Sequence, residues 1–315
     1  MQIKNLSFLY VALMAFGMAF TFTACDDDEP MEEVIPTTDL TITTNLANDD
    51  NFSILVSALE RTGLDDVLDQ TGPFTLFAPT DAAFTASGID LAAVADADLA
   101  EILLYHVLGA SVASTDLAEG QTYATTASTN SPDGSQLSIL VERSGSTVTL
   151  NGDISVTEAD LNAQNGIIHT VDKVILPISV VDAAVDNSAF TELVGALGAA
   201  SGGLVDVLSG DGPFTVFAPV NAAFEEIAST TATLSADQLR DVLLYHVVAG
   251  NVRSSALSDG MMVTTVNGDT FVINIAGDAV TITDAGGGES TVVLTDVQTT
   301  NGVVHVLNKV IIPTL

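Results

Sequence analysis

One stretch of this 315-residue chain is written twice. Gly72 to Phe84 reads GPFTLFAPTDAAF and Gly212 to Phe224 reads GPFTVFAPVNAAF, identical at 10 of 13 positions. LLYHV recurs with the same offset of 140, from Leu103 to Val107 and from Leu243 to Val247. NGIIHTVDKVILP, Asn165 to Pro177, is answered by NGVVHVLNKVIIP, Asn301 to Pro313, with the offset reduced to 136. Three motifs in one order, repeated, mean one module built twice rather than one large core. The four-residue loss between the second and third motifs is expected in a hairpin loop.

The scarcest side chains obey the same duplication. All four histidines fall at paired positions: His106 and His246 within LLYHV, His169 and His305 three residues beyond an Asn-Gly. From residue 25 onward the only lysines are Lys173 and Lys309, each four residues past the second histidine. That same region carries six basic against 41 acidic side chains, a formal charge of −35. Such a field repels nucleic acid and bare anionic membrane and gathers cations instead. Apolar content of 47% supports filled cores, while 5% aromatic content with no Trp leaves no broad stacking platform for nucleobases or sugars.

The amino terminus follows a different logic. Lys4 is the only charge before residue 25, and Leu6 to Ala24 is an uncharged apolar run ending Phe-Thr-Ala before Cys25, the sole cysteine. Residues 1–24 are therefore expected to be an export signal of bacterial-lipoprotein type, with Cys25 as the lipid anchor. The other reading is an uncleaved anchor, since about 20 apolar residues span a bilayer. Residues 25–38, rich in acid, Pro and Thr, are expected to form a tether. An outer-membrane lipoprotein, surface-exposed or periplasmic, is the implied location. With one cysteine no intrachain disulfide is available, so packing alone must hold the exported domains.

Periodicity divides each module into helices followed by strands. Phe52, Leu55, Val56 and Leu59 lie at helical spacing, as do Phe190, Leu193, Val194 and Leu197. FTLFAP and FTVFAP read as short buried strands stopped by Pro79 and Pro219. Thr80 and Asn221 are candidate caps for the short helices that follow, and Ser235 with Gln238 forms a capping box. Alternating segments turn around Ser144-Gly145-Ser146 and Ala276-Gly277-Asp278. The fold class is α+β.

The three motifs, in this order within each copy, resemble the fasciclin-like domain, and the resemblance covers the chain from about residue 39 to its end. It implies two tandem domains, 39–178 and 179–315, each a β-sandwich or wedge with a bundle of α-helices. It also implies cell adhesion or extracellular-matrix binding, with no enzyme chemistry and no cofactor. In animal relatives the Tyr-His segment and an Asp-Ile pair before Asn-Gly are associated with integrin binding. By position these become Tyr105, His106, Asp160 and Leu161 in the first copy, and Tyr245, His246, Asp296 and Val297 in the second. Neither copy has Ile after the Asp, so a specific integrin partner is not implied; a cell-surface glycan or protein is.

Read from the residues alone, the histidines in apolar segments are hydrogen-bonding struts first and ligands second. The lysines are expected to close the sheet onto the helices through ion pairs, with contact to an anionic glycan or partner protein as the other reading. Asp160 and Asp296 are expected to be exposed contacts, and the Asn-Gly pairs simple tight turns. No GxSxG, HExxH or calcium-loop pattern occurs. Divalent cations remain open as bridging ions between the acidic surface and anionic glycans. Two rival functions stand beside adhesion: a binder of a small apolar ligand, which needs a large closed pocket, and a hydrolase of an extracellular polymer, which needs a histidine meeting a nucleophile and an acid.

Overall fold

The computed structural model describes residues 39–314. The expected signal segment, Cys25 and the tether lie outside the described residues. The first module contains α1 (Ile42–Ala47), α2 (Ser53–Thr62), α3 (Asp65–Leu68), β1 (Phe74–Pro79), α4 (Asp81–Ser87), α5 (Asp96–Tyr105) and β2 (Val107–Leu108), followed by β3 (Gly120–Thr125), β4 (Ser138–Ser144), β5 (Thr147–Leu150), β6 (Ile154–Ala163) and β7 (Gly166–Val171). The second repeats this order with one added helix, α10. Its helices are α6 (Val180–Val185), α7 (Thr191–Ala199), α8 (Leu204–Leu208), α9 (Asn221–Glu226), α10 (Ala228–Thr231) and α11 (Ala236–Tyr245). Its strands are β8 (Phe214–Pro219), β9 (Val247–Ala249), β10 (Met261–Thr264), β11 (Thr270–Ala276), β12 (Ala279–Thr283), β13 (Glu289–Thr299) and β14 (Gly302–Leu307).

Each module holds a seven-stranded sheet, ordered β2-β1-β7-β6-β5-β4-β3 and β10-β11-β12-β13-β14-β8-β9. Within them only β1–β7 and β8–β14 run parallel. The pairing places Phe74 opposite Gly166 and Pro79 opposite Val171, so FTLFAP lies beside the closing strand. Both strands are buried on two faces, which is why they read as continuous apolar runs. Successive side chains of β1 split between two cores. Leu76 and Ala78 meet α1, α2 and α5 through Ile42, Leu55, Leu59 and Leu103. Phe77 points into the curl of the sheet with Tyr105, Ile139, Val141 and Leu150. The second module repeats the split, Ala218 joining the helical core and Phe217 the sheet core.

Local signals explain several helix starts. Thr80 caps α4 by accepting the Ala83 amide at 3.2 Å, and Ser235 and Gln238 make the expected reciprocal box at 3.2 and 3.0 Å. Asn221 differs from expectation. It sits inside α9 and caps a neighbouring helix instead, accepting the Glu192 amide of α7 at 3.0 Å. Its counterpart Asp81 does the same for α2, taking the Ile54 amide at 2.8 Å. The repeat offset thus belonged to this second role, and Thr80 has no capping equivalent. The length change is also more complex than one deletion. The β3–β4 hairpin loop shrinks from 126–137 to 265–269, while the β5–β6 connection grows from 151–153 to 284–288.

The modules meet along a polar junction. The Gln298 amide on β13 donates to Ser138 Oγ on β4 at 3.0 Å, and Asn187 Nδ2 donates to Tyr123 Oη at 3.0 Å. The Tyr123 ring packs against the helical core of the second module. Gly152 comes so close to Asp186 that an added Cβ would lie 2.7 Å from its carbonyl oxygen. Partial burial here pushes the Asp186 carboxyl up to about 6, with help from the negative charges of Asp182 and Asp153.

Candidate functional site

The LLYHV segments end helices α5 and α11, and their Tyr-His pairs turn inward at the start of the next strand. Tyr105 and Tyr245 are fully buried; their hydroxyls donate to the Ser138 and Thr270 carbonyls, each at 2.8 Å. His106 receives the Ile175 amide on Nε2 at 2.9 Å and pairs Nδ1 with the Ile102 carbonyl at 2.7 Å. Those partners make Nδ1 the protonated nitrogen and the ring neutral. His246 repeats the arrangement with Ile311 at 3.1 Å and Val242 at 2.8 Å. Burial drives both imidazoles down to about 4, only partly offset by the accepting carbonyls. Tyr105, His106, Tyr245 and His246 are therefore struts joining helix, sheet and closing segment. Side chains this enclosed have no surface with which to touch a partner.

The second pair of histidines builds something else. In β6 and β13 the register slips on either side of Glu158 and of Leu294, and Asp160 and Asp296 take left-handed backbone with φ of 64° and 61°. A bulge holding a non-glycine residue there needs support. His169 Nδ1 accepts the Asp160 amide at 3.1 Å while Nε2 donates to the Val112 carbonyl at 2.9 Å. His305 does likewise for Asp296 at 3.3 Å and Val252 at 2.9 Å. The rings stack on Phe77 and Phe217 with centroids 5.6 and 5.2 Å apart. Burial presses the His305 imidazole below its ordinary value.

A serine completes each clamp. The Ser114 amide and hydroxyl donate to the two Asp160 carboxylate oxygens at 2.7 and 2.5 Å. Ser254 engages Asp296 in the same way, its amide at 2.8 Å and its hydroxyl on the other oxygen. Partial burial opposes ionisation of Asp160, but the Ser114 hydrogen bonds and the neighbouring His169 outweigh it and hold the carboxyl below the usual range. Sequence reasoning missed Ser114 and Ser254, although their shared offset of 140 was a visible signal. Asp160 and Asp296 are half-buried and fixed rather than freely exposed; Leu161 is half-buried and Val297 buried. Exposed positions on the bulges are Thr157, Glu158 and Ala159 in one module and Val293 and Leu294 in the other.

Ser114, Asp160 and His169 are the residue types of a hydrolytic triad, yet they are wired differently. Both ring nitrogens of His169 are engaged by backbone groups, and the serine hydroxyl donates to the aspartate, so no base faces the nucleophile. Among the described residues no cluster of three or more His, Cys, Asp or Glu is arranged to hold a metal. Two apolar cavities among the described residues measure about 40 Å³ beside Phe77 and His169 and about 30 Å³ beneath α7. A small-molecule site needs on the order of 300–1,000 Å³.

Two other expectations change. Lys173 pairs with Asp153 at 2.7 Å, but this joins the β5–β6 turn to the segment after β7 and leaves the helices untouched. Lys309 is exposed and makes no ion pair among the described residues. Asn165 and Asn301 are more than turn residues. Asn165 is buried, accepts the Ile42 amide at 3.0 Å and donates to the Leu68 and Gln70 carbonyls at 2.5 and 2.8 Å. Asn301 repeats this with Val180, Leu208 and Gly210 at 2.9, 2.9 and 2.8 Å. Beside Asn165 an open polar cleft of about 580 Å³ runs past Thr41, Ser111, Pro73 and Asn162.

The architecture is a paired α+β fold, with these polar networks holding backbone in place. Fasciclin domain models match residues 50–177 and 188–313, and the chain belongs to that family. It is 31% identical to transforming growth factor-beta-induced protein ig-h3 of Sus scrofa over 78% of its length and 35% of that protein. It is 31% identical to human periostin over 85% of its length and 30% of that protein. The chain thus spans about a third of these relatives. The cell surface glycolipoprotein MPB83 of Mycobacterium bovis is 39% identical over 35% of this chain and 48% of its own. A solved FAS1 domain pair from the insect cell adhesion molecule fasciclin I shares the fold. Its TM-score is 0.50 at 20% identity, covering 82% of this chain and 95% of that one. No helix among the described residues is long and apolar enough to cross a membrane.

Proposed function

We propose that this protein is an exported adhesion module, lipid-anchored through Cys25 to the cell envelope. Its two domains, 39–178 and 179–315, would bind matrix polysaccharide or a neighbouring surface protein. The supporting observation is the serine-clamped bulge, built twice with the same partners. Its rigid outline presents Thr157 and Glu158 on one module and Val293 and Leu294 on the other. Two weak contacts on one tethered chain gain avidity through effective concentration, by about 10²–10⁴ when both engage. The cell-surface and cell-adhesion descriptions of MPB83 and of the insect domain pair agree with this reading. Asp160, Leu161, Asp296 and Val297 act by shaping the bulge, and Tyr105, His106, Tyr245 and His246 by supporting the core behind it.

The test is binding of the purified chain to envelope glycans and whole cells, with Glu158→Lys and Leu294→Asp as surface changes that leave the clamps intact. Loss of cell binding in the double variant, with an unchanged melting temperature, is expected. Parent-level binding by that variant overturns the assignment. A chelator reports separately on cation bridging: adhesion that persists without divalent ions removes them from the mechanism.

A further inference from the structure

The junction between the modules occupies a surface that exists twice. On the second module, Gln298 lies beneath Ser138 of the first and is 2% exposed, with Asn251 Nδ2 bonded to its side chain at 3.4 Å. The repeat equivalents of Gln298 and Asn251 are Asn162 and Ser111. Both register and offset agree, since Asn162 faces Ile167 on the adjoining strand as Gln298 faces Val303. Asn162 and Ser111 line the open cleft of about 580 Å³ on the first module. The Gln298 corner of this surface is covered on the second module, and its Asn162 counterpart is open on the first.

The complementary surface is also duplicated. Ser138 opens β4 and faces Thr125; Thr270 opens β11 and faces Thr264, with Tyr245 held on its carbonyl as Tyr105 is on that of Ser138. Tyr123 faces Leu140, two residues beyond Ser138, and Met262 faces Val272, two residues beyond Thr270. Tyr123 is packed into the junction, whereas Met262 at the equivalent place is 68% exposed. A large apolar side chain held in water on an edge strand is a cost that a partner would remove.

We propose that the cleft on the first module receives the β11 end of the second module of another copy, repeating between chains the junction formed within one. Thr270 Oγ1 would take the place of Ser138 Oγ over the Asn162 amide, and Met262 that of the Tyr123 ring. Each chain offers one cleft and one β11 end, so the contact is head-to-tail and continues from copy to copy. Within a chain the linkage supplies a millimolar effective concentration that separate copies lack. The formal charge of −35 adds mutual repulsion, so association strengthens as salt rises. The inference is independent of the bulges and of any glycan partner.

The test uses the full chain with Cys25→Ser, Asn162→Cys and Thr270→Cys, oxidised at high protein concentration in low and high salt. A non-reducing gel is expected to show a ladder of dimers, trimers and longer species, stronger in high salt. Ser138→Cys with Gln298→Cys is the internal reference and closes without change of mass. Adding Met262→Asp, at a position too exposed to disturb folding, is expected to cut the ladder at least tenfold. Sedimentation of the unmodified chain should show the same salt-promoted association and its loss in Met262→Asp. The proposal is overturned if no ladder forms, if Met262→Asp leaves it intact, or if Val205→Cys in place of Thr270→Cys gives an equal one.

Discussion

Acid should unfold this protein chiefly through two buried histidines, His106 and His246. His106 and His246 are neutral in the fold, with imidazoles driven to about 4, whereas in the unfolded chain they titrate near 6.5. The native state refuses a proton that the unfolded state accepts, so the stability held above pH 6.5 is lost as pH falls through 6.5 toward 4. Two and a half pH units at about 1.4 kcal/mol each give about 3 kcal/mol per histidine. Asp186 works in the opposite sense. Its carboxyl, raised to about 6, holds a proton in the fold longer than in the unfolded chain, so its share grows as pH falls from 6 toward 3.8. Half-buried and screened, it returns about 1–2 kcal/mol. The net loss between pH 6.5 and 4 is then about 4–5 kcal/mol, comparable with the whole stability of many domains. Urea unfolding at pH 7, 6, 5 and 4.5, followed by fluorescence and circular dichroism, measures it. His106→Gln with His246→Gln should lower stability at pH 7 and flatten the pH profile. A parent midpoint unchanged between pH 7 and 4.5, or the full slope persisting in the double variant, would refute the argument.

Three further outcomes follow from the local geometry. Asn165→Ala strips partners from the Ile42 amide and the Leu68 and Gln70 carbonyls and should cost about 3–4 kcal/mol in chemical denaturation, with Asn301→Ala matching it. Gly166→Ala places a methyl against the Phe74 carbonyl oxygen at the parallel pairing and should cost about 2–3 kcal/mol, seen as a lower melting temperature. Ser114→Ala should raise the Asp160 carboxyl toward its ordinary value, read by NMR titration. It should remove about 1 kcal/mol that is present above the ordinary carboxylate range and lost as pH falls through the Asp160 value.

The modules, their order of helices and strands, and the buried character of FTLFAP were readable because apolar periodicity and a second copy constrain each other. The histidine struts at 106 and 246 were readable for the same reason: a polar ring within LLYHV has to find backbone partners. The bulge was not, because an Asp at positive φ carries no spacing signal, and its clamping Ser114 lies 46 positions from it in sequence. The Tyr105 and His106 side chains that the resemblance implies as contacts are buried, a property that a motif's chemistry does not report. The junction was invisible for another reason. It depends on where the copies differ, with Tyr123 against Met262 and a hairpin loop of unequal length, whereas repeat reasoning attends to where they agree.

The parallel pairing of β1 with β7 has a bearing on how the chain is made. Phe74 faces Gly166, about ninety positions downstream, and Phe214 waits equally long for Gly302. While a ribosome is delivering either half, its central ribbon has no neighbour on that side until the last strand of that half has emerged. The first half becomes complete before the corresponding stretch of the second exists, so the order of synthesis keeps the two near-identical FT-x-FAP strands from competing for one another's closing partner.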